Sequence, residues 1–171
     1  MISSLAQPLS DSQYSAGFEI LMQASEQKTY EDFIVPQLSL LLTPLFNSRD
    51  SISILEIGPG PKSVLAYLPD CLRRKIKQYT ALEPNHSFAA RLEELLSRNA
   101  EKGSFLPDLE TRPDIRRISF DLDSNTRVST VTKTSDSEKK FDKKFDIVLF
   151  CHSMYGMKPK RRFIEQGLDL L

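Results

Sequence analysis

Tryptophan is absent from this 171-residue chain, glycine is scarce at six residues, and only two cysteines are present. Cys71 and Cys151 stand in unrelated contexts, so they build neither a disulfide framework nor a zinc site and point to a reducing cytosol. No sign of charge prevails. Lys plus Arg number 23, as do Asp plus Glu, and no long-range field draws the chain to nucleic acid or anionic lipid. The basic clusters Arg73-Arg74-Lys75, Lys139-Lys140 and Lys158 to Arg162 are short, have acidic residues nearby, and read as solvated faces and loops. No apolar run approaches the ~20 residues of a membrane span. The opening MISSLAQPLSDS lacks the basic region and apolar core of a secretory signal. The expectation is one cytoplasmic domain, long enough to bury a core, with neither membrane nor nucleic acid as partner.

What is present is an alternation of strand and helix patterns. Tyr14, Phe18, Leu21 and Met22 share a helical stripe, with Ser10, Asp11 or Ser12 as its cap. After a break at Ser25-Glu26-Gln27, a second helix starts at Thr29 with Glu31 and Asp32 in its first turn. Pro36 is expected to kink it and Pro44 to end it soon after. Strands are expected at Ile52–Ile57, Gln78–Leu82, Ile115–Phe120 and Phe145–Phe150. Helices are expected from Ser63 past Pro69 to Ile76, over Asn85–Asn99 behind an Asn cap, and from Arg162 to Leu171. The polar stretch from Asp121 to Lys144 reads as a long flexible excursion. Such alternation argues an α/β fold with a parallel sheet and right-handed crossovers.

The segment ILEIGPGPKS, Ile54 to Ser63, joins the first strand to a helix through a turn with Gly58 and Gly60. A triphosphate loop, G-x-x-x-x-G-K-[ST], would need glycine where Glu56 and Pro61 stand. A dinucleotide fingerprint would need a third glycine where Ser63 stands, and Glu56 would oppose a pyrophosphate. S-adenosylmethionine fits better, because it has no phosphate, carries a sulfonium cation, and tolerates Glu56 beside the turn. Glu83 ends the neighbouring strand in YTALEPN, where a carboxylate can accept from both hydroxyls of a ribose. Asp121, in competition with Asp123, would reach the adenine amino group. FCHSMYGM, from Phe150, would close over the cofactor's reactive end.

LEIGPG, ALEPN and FDIVLFCHSMYGM resemble the glycine motif, the acidic second-strand motif and the fourth-strand motif of class I S-adenosylmethionine-dependent methyltransferases. Tyr14, Phe18, ASEQKTYEDF and the pair Met154-Tyr155 are similar to the histamine N-methyltransferase-like branch. The resemblance covers residues 14–171. It implies a partial Rossmann-like methyltransferase sheet over residues 49–171, preceded by an N-terminal helical pair that forms a lid over residues 1–48. It further implies that Gly58 and Gly60 line the methionine part of the cofactor, that Glu83 holds the ribose, and that Cys151 or His152 lies beside the sulfonium. Glu26 would meet a substrate amine, and Tyr14 and Tyr155 would form an aromatic substrate wall or pack the lid. The family's usual third glycine falls at Lys62, whose side chain either points outward or crowds the methionine carboxylate.

The family's seven strands run in the order 3-2-1-4-5-7-6, and only the first four are found in this sequence. The fourth strand is therefore expected as an exposed edge open to self-association. The chain is expected to be an incomplete catalytic domain that methylates a small-molecule amine or hydroxyl. The alternatives are a non-catalytic methyltransferase-like module, or the amino-terminal part of a longer protein joined to a further domain such as an oxidase. A nicotinamide-nucleotide-binding domain is a third reading of the same glycine turn.

Overall fold

The computed structural model describes residues 9–21, 27–97, 103–121, 144–155 and 157–171. The polar excursion falls almost wholly outside them, as does Glu26. Helix α1 spans Asp11–Leu21. Its cap is Ser10: the Gln13 amide donates to Ser10 Oγ at 3.3 Å, and the Ser10 amide donates back to Gln13 Oε1 at 3.0 Å. Two amides that lack helical partners are thus satisfied reciprocally.

The next helical stretch is composite. A short α2 (Gln27–Thr29) passes into a π turn at Tyr30–Ile34 and then α3 (Val35–Ser48). The irregularity expected at Pro36 takes the form of that π turn, in which the Val35 amide donates to the Tyr30 carbonyl. The helix ends one turn after Pro44, as expected. Pro44 lies inside α3, and Phe46, fully buried, anchors the last turn.

The sheet contains β1 (Ile52–Ile57), β2 (Ile76–Leu82), β3 (Asp114–Arg116) and β4 (Ile147–Phe150), all parallel, in the order β3-β2-β1-β4. The fold is α/β, with the strand order expected of a partial Rossmann-like sheet. Every residue of β1 is buried, as a central strand covered on both faces requires. Ile52 and Ile54 face one core with Tyr79, Ala81 and Ile147. That core is closed by Phe46 of α3 and by Leu92 and Leu96 of α5 (His86–Leu96). Leu55, Ile57 and Leu82 face the other core, closed by Phe120 and by Phe163 of α6 (Lys160–Leu168). Gly167 lets α6 press onto β4, since a Cβ there would meet the Phe150 ring at 3.0 Å.

The helix expected from Ser63 to Ile76 is broken. A 3-10 helix (Val64–Tyr67) ends at Leu68, whose extended backbone is what a following proline imposes, and only then comes α4 (Asp70–Arg73). The third strand is shorter than expected, three residues at the sheet edge. Asp146 sets the register of β4. Its Oδ2 accepts from the Ser53 amide at 2.8 Å and the Ser53 hydroxyl at 2.7 Å, and its carboxylate also pairs with Arg49. Among the described residues, no helix is long and apolar enough to cross a membrane.

Asn85 caps α5 through Oδ1, which accepts from the Ser87 amide at 3.0 Å and the Phe88 amide at 3.1 Å. Asn85→Ala removes both bonds and is expected to cost about 1 kcal/mol, read as a lower urea midpoint at unchanged slope.

Candidate functional site

β1 and β2 finish level, with Ile57 opposite Leu82, so Gly58 and Glu83 leave the sheet side by side. The Gly58 amide donates to the Leu82 carbonyl at 2.8 Å and the Glu83 amide to the Arg116 carbonyl at 2.9 Å, so the parallel pairing extends one residue past each strand. The chain then turns sharply. Gly58 and Gly60 have φ of 62° and 72°, the left-handed region that penalises any Cβ.

Glu83 reaches back across this turn. Its Oε2 accepts from the Gly60 amide and its Oε1 from the Asn85 amide, both at 2.9 Å, while the side chain is buried. Burial raises its carboxyl above the usual range; the two amides pull it down, and the charge of Asp11 pushes it up again. Each oxygen keeps a second acceptor direction. Glu83 and the two glycines are therefore brought together.

Glu56 points the other way, into the core beneath the turn. Its Oε2 accepts from Ser63 Oγ and from Tyr79 Oη, each at 2.6 Å, and its Oε1 has no hydrogen-bond partner among the described residues. Burial raises its carboxyl to about 7, against the opposing pull of the Ser63 and Tyr79 hydroxyls and the Val64 amide. Because Glu56 lies under the turn, its charge is not displayed to a ligand resting on top.

On the other side of β1 the strand order reverses toward β4, which makes the crevice outside these carboxyl ends the usual ligand position in open α/β sheets. Residues 151–155 leave β4 there. Ser153 comes so close that its Cβ lies 2.8 Å from where a Gly58 Cβ would stand. Its hydroxyl is buried without a partner among the described residues. His152 holds φ at 57°, stacks on Tyr30 at 5.4 Å, and shares a 2.9 Å hydrogen bond with the exposed Tyr155. Cys151 is half-buried. Lys62 points outward, its ammonium 3.9 Å from the centre of the Tyr67 ring, so it does not crowd the turn.

Helix α1 covers the assembly. Asp11 Oδ2 accepts from the His86 amide at 3.1 Å, and Tyr14 and Phe18 pack on Phe88 at 5.9 and 5.1 Å. Phe18 also lies 3.7 Å from where a Gly60 Cβ would be. Tyr14 thus packs α1 against α5. Asp121 is exposed beside α6, its carbonyl accepting from Gln166. Asp123, like Glu26, lies outside the described residues.

Sequence reasoning missed Ser63, Tyr79, Ser153, Phe18 and Tyr30 as members of this site. Tyr79 carried a usable signal, because it is the polar-tipped residue on the strand next to a buried carboxylate. A cavity of about 640 Å³ lies elsewhere, lined by Leu96, Leu106, Leu109 and Ile115 together with Glu93 and Arg112, and contains none of the residues of the glycine turn. Among the described residues no cluster of His, Cys, Asp or Glu could hold a metal. No protein-family model, no curated protein and no solved structure matches this chain.

Two outcomes follow from this geometry. Gly58→Ala meets both a left-handed backbone and the Ser153 side chain, and is expected to destabilise by about 2 kcal/mol or more, measured by urea unfolding. Glu56 has a folded value above its unfolded one. Its contribution is therefore fully present below pH ~4.5 and is lost as pH rises through about 7. Glu56→Gln should remove roughly 3 kcal/mol of this decline, visible when unfolding of variant and wild type is compared across that range.

Proposed function

We propose that the strand-end crevice binds the nucleoside part of S-adenosylmethionine and that the protein transfers its methyl group to a small-molecule amine or hydroxyl. The observation that carries this reading is the Glu83 carboxylate, held against the Gly60 amide at 2.9 Å with acceptor directions to spare for a ribose diol. In this reading Glu83 holds the sugar, the Gly58–Gly60 turn lies along the methionine chain, and residues 151–153 border the reactive end. When bound, the cofactor supplies an electrophilic methyl. The chain's own part is to fix the acceptor in line with it, and proximity accounts for most of the acceleration. Admission of a ligand draws Phe18 away from Gly60 and Ser153 away from Gly58. The scarcity of cysteine suits a reducing, cytoplasmic setting, and the balanced charge argues against a nucleic-acid partner.

A pyrophosphate ligand is less well served. The helix after the turn is a four-residue 3-10 segment whose first turn is already capped, with Ser63 Oγ accepting from the Leu65 amide at 3.0 Å. Little of the helix-terminal donor array that binds phosphate remains.

A second reading has its own support. Ser153 and Phe18 already stand where side chains at Gly58 and Gly60 would point, and both Glu83 oxygens already have donors, as in a non-catalytic module in which the turn serves only to hold the fold. In that reading β4, which pairs with β1 alone among the described strands, is the binding surface, for a partner or a second copy.

Calorimetric titration with S-adenosylhomocysteine separates the two. The enzymatic reading expects micromolar affinity, weakened tenfold or more by Glu83→Gln and unaffected by excess NAD. Absence of binding at millimolar ligand, together with concentration-dependent dimerisation, would sink it in favour of the module.

A further inference from the structure

Helix α3 is apolar on both sides, and the fold uses one of them. Val35, Leu38, Leu42 and Leu45 pack on the core beside the fully buried Phe46. The opposite side carries Gln37, Leu40, Leu41, Pro44 and Ser48 at helical spacing, all exposed, with Phe33 of the π turn ahead of them. Leu40 and Leu41 are 68 % and 75 % exposed, and Phe33 is 63 % exposed. From Phe33 to Ser48 no residue is charged. A helix that is hydrophobic all round is one that proteins bury, and apolar surface gathered in this way marks a contact.

The hydroxyls of α3 are already prepared for a dry contact. Thr43 Oγ1 donates to the Ser39 carbonyl at 2.6 Å and Ser48 Oγ to the Leu45 carbonyl at 2.8 Å, so neither carries an unmet donor into an interface. A bilayer surface is the poorer match. Helices that lie on membranes rim their apolar face with Lys and Arg, and none stands between Phe33 and Ser48.

The charges lie at the two ends of the face. Glu31 and Asp32, both exposed, precede it. Arg49 follows it, and its side chain is 54 % exposed even while paired with Asp146. Glu31 and Arg49 are equally far from Leu40 along the chain, nine residues on either side. Two such helices crossed antiparallel about a twofold axis near Leu40 therefore set each Glu31 level with the other copy's Arg49. Lys28, further out, then faces the region of the exposed Asp50. A parallel crossing would set acids against acids.

We propose that the outer face of α3 is a homodimer contact in which two copies of the chain cross antiparallel, Leu40 against Leu40 on the twofold axis, with Phe33, Leu41 and Pro44 around them. An uncharged stripe with an acid at one end and a base at the other is complementary to itself in that orientation. One helix crossing buries less than the ~800 Å² per partner of standard complexes, so the dimer is reversible, with a dissociation constant on the order of 10–100 μM. The face includes no residue of the strand-end crevice and none of β4, so it stands apart from both readings of that end of the sheet.

The test is sedimentation equilibrium of the full chain, without ligand, from about 5 to about 500 μM, a span that brackets this constant. The wild type should pass from monomer to dimer. Leu41→Glu should stay monomeric across the range and keep the urea midpoint of the dilute wild type, because the side chain it replaces is exposed. Leu40→Lys serves in its place if that variant does not fold. Glu31→Lys, which sets like charges level with each other, should weaken the dimer about threefold or more at low salt. A wild type that stays monomeric leaves the face to a different partner and overturns the proposal. A dimer that survives in Leu41→Glu overturns it as well, since another surface such as β4 then holds it. A dimer indifferent to Glu31→Lys rules out the antiparallel crossing.

Discussion

A single carboxylate organises the carboxyl end of this sheet. The glycine turn leaves the Gly60 amide buried and outside any ladder, and the chain after β2 does the same to the Asn85 amide. Buried amides without partners are rarely tolerated. Glu83 accepts from both, and so ties the turn after β1 to the start of α5. Asn85, held in this way at its backbone, is free to use its side chain on the Ser87 and Phe88 amides. One residue thus sets the height of the turn, the entry angle of α5 and, through Phe88, the platform on which α1 rests.

The other wall of the crevice depends on register. Asp146 fastens β4 to Ser53 at the start of β1, and from there the ladder carries Phe150 level with Ile57. Only with that alignment does Ser153 arrive against Gly58. The left-handed backbone at Gly58 and the closeness of Ser153 then exclude a side chain at the same position for two separate reasons. The same alignment sets Ser153 and Phe18 beside the two glycines, so any ligand at the turn would have to displace them.

Much of this arrangement was legible in the residues. Apolar runs marked β1 and β4, and the Asn cap marked α5. The coincidence of a glycine turn with a carboxylate at the end of the next strand marked the Gly60–Glu83 contact. Pro44 marked the end of α3, one turn on, in the stretch where Phe46 is fully buried in the core. The break at Leu68 obeyed a local rule, since a residue before proline is driven to extended backbone, but the apolar pattern concealed it. Ser153 was not readable at all, because its role depends on the register between strands that lie 93 residues apart where Ser53 meets Asp146. The side of the strand taken by Glu56 was readable in principle: the two-residue period places it on the face of Ile52 and Ile54.

That last point separates two carboxylates that look equivalent in the sequence. Glu56 is the penultimate residue of β1, Glu83 follows the last residue of β2, and both are buried. The donors around Glu83 are backbone amides, which can only donate, so a proton on Glu83 must sit away from both bonds or break one of them. Two of the donors around Glu56 are hydroxyls, which can donate or accept, and the third is the Val64 amide. Burial is the largest influence on both carboxyls and raises both; what differs is the opposition, two amides at Glu83 against two hydroxyls and an amide at Glu56.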